Sequence, residues 1–259
     1  MTIGLAYRYV FSGPKWGMNL LLWSVCALIP IIGPIVLQGF GTEVMALLVT
    51  GRREQCPEFT FDRFSQYLSK GVMPFLVGLV VGLVTMGVAM AAMSVIGFAV
   101  VGTVFALLAA KVSDQMMMCV MIPVGCLGCV GYTAMLLTAS LVATPFTLRA
   151  LLTQDFTSSL DIAFARDFLR RTWGPVLVKN LIIVGHFVII MILAYGTLGL
   201  GFVLIYPAVA VIMALQWYFL AELYEIYLQR GGTPIPLKEP PVAPQYGVEG
   251  PAFEVGRKA

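Results

Sequence analysis

Apolar residues along this chain come in long uninterrupted blocks, parted by short segments rich in charged and aromatic residues. One crossing of a ~30 Å hydrocarbon layer takes about 20 residues, and strands alternate every second position, so blocks of this kind predict membrane-crossing helices. The pattern places six of them at about 17–30, 34–50, 72–96, 118–147, 174–196 and 202–229. Between the first two, Pro30, Gly33 and Pro34 form a corner, because proline lacks the amide donor a helix needs and clashes with the preceding turn. Both arms there are short for a crossing, which suits a re-entrant hairpin or one seated in a thinned bilayer. The Gly-rich corner at Gly196, Gly199 and Gly201 turns the last pair. Residues 97–117 are assigned to an external connection, with a half-inserted helix as the alternative, since their apolar run is short and ends at Lys111, Ser113, Asp114 and Gln115.

Amphipathic segments precede each pair, at about 4–15, 57–70 and 160–172, and their apolar faces predict helices lying as ramps on the membrane surface. Residues 5–17 align on 162–174 without a gap: Ala6 falls on Ala163, Tyr7 on Phe164, Phe11 on Phe168, and Trp16-Gly17 on Trp173-Gly174. A weaker copy joins Tyr67, Leu68 and Lys70 to Phe168, Leu169 and Arg171. The expected fold is therefore all-α, a polytopic integral membrane helical bundle of about six transmembrane helices in three ramp-plus-hairpin units, forming a single domain over 1–230. Gly78, Gly82, Thr85, Ala89 and Ala92 make a stripe of small residues, expected to pack against another helix of the same chain, with a dimer face as the alternative.

Composition supports that class and removes others. The chain is 59% hydrophobic and only 11% charged, where soluble domains carry about 25% charged residues. Its net charge of +3 forms no basic patch interleaved with aromatics, so nucleic acid is not an expected partner. With external corners at 30–34, 95–117 and 196–202, Lys111 is the only external Lys or Arg, and the other fifteen fall on the opposite side. Cytoplasmic loops collect such residues, so both termini are expected in the cytoplasm. Trp16, Trp173 and Trp217 read as headgroup-level anchors or packing residues. From residue 231 to 259 the chain is Pro-rich and expected to be a disordered tail, with Pro241 and Pro244 at a spacing that can dock a partner.

Candidate chemistry is sparse. Cys119, Cys126 and Cys129 sit beside Met116, Met117, Met118 and Met121 at spacings that share a helical face, and such sulfur ligands favour a soft ion such as Cu(I). Packing explains these adaptable residues without a metal, so no cofactor is expected. His186, the only histidine, lies within the fifth helix, two turns after Lys179 and Asn180. An intramembrane ionisable group raises a proton or substrate path, against the simpler reading of one interhelical hydrogen bond. Glu43 is the most buried-looking carboxylate, and with His186 and Gln216 it makes the candidate intramembrane polar site. Walker, dinucleotide-binding and zinc-protease motifs do not occur, and no catalytic set can be assembled; an enzyme is not expected.

The order Pro14-Lys-Trp-Gly17, Ile29-Pro-Ile-Ile-Gly-Pro34, Gln38-Gly-Phe-Gly-Thr-Glu43, Gly51-Arg-Arg53, Cys56-Pro-Glu58 and an aromatic ramp ending at Lys70-Gly71 resembles the bacterial membrane family called domain of unknown function 4013. The Ala163-Phe-Ala-Arg166 run and the 222–229 end fit its closing section, so the likeness covers most of residues 5–230. It implies a bacterial inner (cytoplasmic) membrane protein and transfers no catalytic residue. A more distant likeness is to the membrane domain fused to glycerophosphodiester phosphodiesterases, whose soluble catalytic domain has no counterpart in this sequence. The leading expectation is a non-catalytic accessory or assembly component, with the lipid bilayer and another membrane protein or a second copy as partners. A carrier or channel for a small solute, lipid or ion is the alternative, and a metal or redox role at the cysteines is the third.

Overall fold

The computed structural model of the chain describes residues 3–53, 56–109, 114–196 and 202–238. Its helices are α1 (Ile3–Val10), α2 (Trp16–Leu28), α3 (Ile32–Val49), α4 (Phe64–Ala109), α5 (Asp114–Thr153), α6 (Phe156–Ser159), α7 (Ile162–Gly196) and α8 (Phe202–Gln229), and no strand occurs among the described residues. Five helical stretches are long and apolar enough to cross a membrane, within α3, α4, α5, α7 and α8, while α2 is apolar but shorter. The pairs α2–α3, α4–α5 and α7–α8 follow one another as an all-α polytopic bundle.

Helix α3 is the centre. It packs against α2, α4, α5 and α8, and eleven of its eighteen residues are buried. Its Phe40 meets Trp23 of α2, Trp217 of α8, Phe59 of the extended segment 56–60 and Tyr67 of α4, at ring separations of 5.3–5.8 Å. Trp217 is therefore a packing residue, whereas Trp16 and Trp173 stay exposed as anchors would. Asn19 ties the extended segment to α2: its Nδ2 donates to the Pro57 carbonyl and its Oδ1 accepts from the Phe59 N–H.

Two glycine contacts fix how α3 meets its neighbours. A Cβ at Gly39 would fall 1.8 Å from the Tyr67 carbonyl oxygen, and one at Gly71 would fall 1.7 Å from that of Ile35, so α3 and α4 cross backbone to backbone there. At the α2–α3 corner a Cβ on Gly33 would lie 1.7 Å from the Cys26 carbonyl oxygen. Ile31 turns that corner at φ 68° and ψ −60°, with the Ile32 N–H on the Pro30 carbonyl at 2.8 Å, a γ-turn of the rare positive-φ kind. Pro34 then sits in the first turn of α3, where no amide donor is required.

Several expectations change. Residues 97–109 are not a separate connection; they continue α4, which at 46 residues is ~69 Å long. Nothing in that run removes a backbone donor, so the helix goes on. Only the first ramp is a helix of its own. Residues 64–70 open α4 and 162–172 open α7, and α7 runs through Trp173-Gly174 without a break. Pro175 leaves the Arg171 carbonyl without its helical donor, and Arg230 Nη1 donates to that carbonyl while Arg171 Nη1 donates to the Arg230 carbonyl. Gly78 and Gly82 do not pack within the chain: both are exposed, and a Cβ at either would meet nothing within 4 Å.

The segment after α8 also departs from expectation. Residues 231–238 fold back on the bundle, with the Ile235 N–H on the Tyr224 hydroxyl at 2.7 Å, Ile235 buried, and the Lys238 N–H on the Leu152 carbonyl. The rest of the expected tail, 239–259 with Pro241 and Pro244, lies outside the described residues, as does Lys111.

Candidate functional site

The α3–α4 crossing assembles the main polar cluster. One turn after Gly39 comes Glu43, and just before Gly71 comes Lys70. Glu43 Oε1 accepts from Arg63 at 2.6 Å and from Lys70 at 3.3 Å, and the Arg63 guanidinium lies over the Tyr67 ring at 5.4 Å. The Glu43 carboxylate is 15% exposed, so it would be costly there without these cations. Sequence reasoning found Glu43 but neither partner, because both depend on the glycine crossing.

His186 lies elsewhere. Its Nδ1 faces the Ile182 carbonyl at 2.7 Å, and a carbonyl can only accept, so Nδ1 carries the proton. Nε2 then accepts from the Tyr7 hydroxyl at 2.5 Å. The histidine thus holds α1 against α7, an interhelical hydrogen bond as the simpler reading expects, with a partner on the first ramp. Gln216 is half-buried on α8. Glu43 and His186 have separate partners, and no contact joins either to Gln216 among those the structure resolves.

Lys179 is 3% exposed inside the bundle, its Nζ 3.4 Å from Thr144 Oγ1 of α5. Beside it Asn180 is equally buried, and its Nδ2 has no hydrogen-bond partner among the described residues. A lysine inside an apolar block was the signal that could have identified it.

The cysteines divide by environment. Cys119 and Cys126 are exposed on α5 and two turns apart, a rise of ~10 Å, too long for both sulfurs to bind one ion at ~2.3 Å. The Cys129 side chain lies outside the described residues. Cys56 is buried in the extended segment, and burial pushes its thiol up to about 12, the Tyr9 hydroxyl offsetting part of the effect.

Other ionic contacts join helix ends. Arg53 after α3 pairs with Glu225 of α8 at 2.8 Å, Lys15 with Glu58 at 2.6 Å, and Arg149 of α5 with Asp161 at 2.7 Å. Asp161 also caps α7, accepting from the Ala163 and Phe164 N–H groups. The Phe164 N–H, with a smaller part from Arg149, holds the Asp161 carboxyl below the usual carboxylate value.

A family model described as Protein of unknown function (DUF4013) matches residues 22–200. The chain belongs to that family. The matched span holds α3, α4, α5 and α7 whole, together with the Glu43 cluster, Lys179 and His186. No curated protein and no solved structure matches the chain, so nothing in these comparisons supports the likeness to the membrane domain of glycerophosphodiester phosphodiesterases.

Proposed function

We propose that this DUF4013 chain is a non-catalytic accessory or assembly component of the bacterial inner membrane, with both termini cytoplasmic, which holds a transmembrane helix of another membrane protein against α4. The observation that carries this is the outward face of α4. On one side of it Gly78 and Gly82, one turn apart, each face open space, and Leu79, Met86 and Val88 flanking them are 46–68% exposed. A glycine inside a helix costs about 1 kcal/mol relative to alanine and gains nothing against lipid tails. Against a second helix it allows backbones to approach closely, which is what drives association where lipid supplies no hydrophobic force. The carboxylate and histidine that a solute path would use are instead engaged in structural contacts.

The test is a photo-crosslinking residue at position 82, compared with Gly82→Leu. The expected result is one crosslinked adduct to a different membrane protein, with co-purification in mild detergent lost in Gly82→Leu while thermal stability is kept. An adduct of two copies of this chain would replace the partner by a homo-oligomer, and the same co-purification in Gly82→Leu would overturn the reading. Buried Lys179 and Asn180 favour the carrier alternative; Lys179→Met abolishing flux of a solute, with the crosslink intact, would make that the function instead.

A further inference from the structure

At the membrane-proximal start of α4, Ser65, Gln66, Ser69, Lys70 and Met73 form one wall of a cleft of about 590 Å³, and Gln154, Asp155 and Lys238 form the other. Six of these eight side chains carry hydrogen-bond donors, and two of the six are ammonium groups. Gln66 uses its Oε1 to accept from Arg63 Nε at 3.1 Å, which leaves its NH2 group to donate. Lys70 is paired with Glu43 at 3.3 Å and contributes its positive charge to the cleft, where Ser65, Ser69, Gln154 and Lys238 carry the other donors. The one carboxylate in the lining, Asp155, is engaged by the Ser158 N–H through its Oδ2 at 2.9 Å. A donor-rich cleft with two lysines selects an anion with several acceptor oxygens.

The same face of α4 continues into apolar surface. Gln66, Ser69, Met73, Leu76, Val80 and Leu83 follow at alternating spacings of three and four, which keeps them in one line along the helix. Met73, Leu76, Val80 and Leu83 are 36–64% exposed. From Met73 to Leu83 the rise is ~15 Å, half of a ~30 Å hydrocarbon layer and thus the reach of one acyl chain. Donors at one end and an alkyl-length track at the other describe a phospholipid rather than a free ion.

We propose that this cleft binds the phosphate headgroup of an anionic glycerophospholipid, with an acyl chain lying along Met73, Leu76, Val80 and Leu83. Basic pockets at the membrane interface bind such headgroups through the same pairing of lysine with phosphate oxygen. The site is separate from the proposed helix-holding face: Gly78 and Gly82 lie two residues on from Leu76 and Val80, about 200° around the helix.

The full-length protein in detergent is titrated with phosphatidylglycerol, with phosphatidylcholine of the same chain length, with glycerol phosphate and with inorganic phosphate. Bound lipid is read by native mass spectrometry and by the shift in unfolding midpoint. Phosphatidylglycerol is expected to bind preferentially, and Lys238→Gln to weaken it about fivefold, the effect of one lysine on an anionic lipid surface. Lys238 is exposed beyond the end of α8, so this variant keeps the fold, and Arg170→Gln, outside the cleft, should bind as the unaltered protein does. Leu76→Asn should weaken the lipid and leave glycerol phosphate unaffected. Equal binding of phosphatidylcholine, equal binding by Lys238→Gln, or inorganic phosphate matching the lipid at equal concentration would each overturn the proposal.

Discussion

Asp161 shows how much one side chain can do in this fold. Its Oδ1 takes the Ala163 and Phe164 N–H groups that begin α7, and its Oδ2 takes Arg149 of α5. A carboxyl held below its ordinary value stabilises the fold fully above that value, near ~4, and the contribution disappears as pH falls through the lowered one. Asp161→Asn keeps a capping oxygen but loses the charge on Arg149. Its unfolding midpoint should fall below that of the unaltered protein at neutral pH, and the gap should close on acidification below about pH 4, as a midpoint-against-pH series would record. An unchanged gap down to pH 2 would mean that the cap, and not the charge, carries the effect. Glu43 was legible in the sequence as a carboxylate among apolar residues, and His186 as a lone titratable group. Their partners were not, since Arg63, Lys70 and Tyr7 come near only through helix crossings that leave no local pattern.

At the scale of elements the α3–α4 crossing decides the arrangement. Gly39→Ala or Gly71→Ala would place a methyl group against a backbone carbonyl, and backbone cannot rotate aside as a side chain can. Overpacking of this kind costs about 1–3 kcal/mol, and the separation it forces would pull Lys70 and Arg63 from Glu43 as well. Each variant is expected to unfold several degrees earlier in detergent, whereas Gly78→Ala, facing open space, should be neutral or stabilising. Equal midpoints for Gly39→Ala and Gly78→Ala would show that the crossing is not close. The existence of the long helices was legible because an apolar run of crossing length has few other solutions. Their ends were harder to read. A helix is held by its backbone, so a charged ramp and an apolar crossing form one rod unless a donor is missing: Trp173-Gly174 does not interrupt α7, and neither does Pro175, because Arg230 takes the carbonyl it strands.

Across the whole molecule, charge and apolar surface separate. Lys15–Glu58, Arg53–Glu225, Arg149–Asp161 and the Arg171–Arg230 exchange join the segment before α2 and the ends of α3, α5, α7 and α8. The distal parts of α4, α5 and α7 instead expose Leu83, Val95, Phe98, Phe105, Leu127 and Ile192, each at least 64% accessible. A soluble monomer rarely presents an apolar patch beyond a few hundred Å², so this surface requires lipid or protein around it. Lys and Arg concentrate on the cytoplasmic side of membrane proteins, so the orientation proposed above predicts the ionic end inward and the far end of the α4–α5 hairpin outward. Single cysteines at Ser12, Ser158 and Ala109, in a background with the native cysteines replaced, separate the two orientations. A membrane-impermeant maleimide should label Ala109→Cys in intact cells, and should reach Ser12→Cys and Ser158→Cys only after permeabilisation. Labelling of Ser158→Cys in intact cells would invert the chain, and the anionic headgroup cleft beside Asp155 would then face the opposite leaflet.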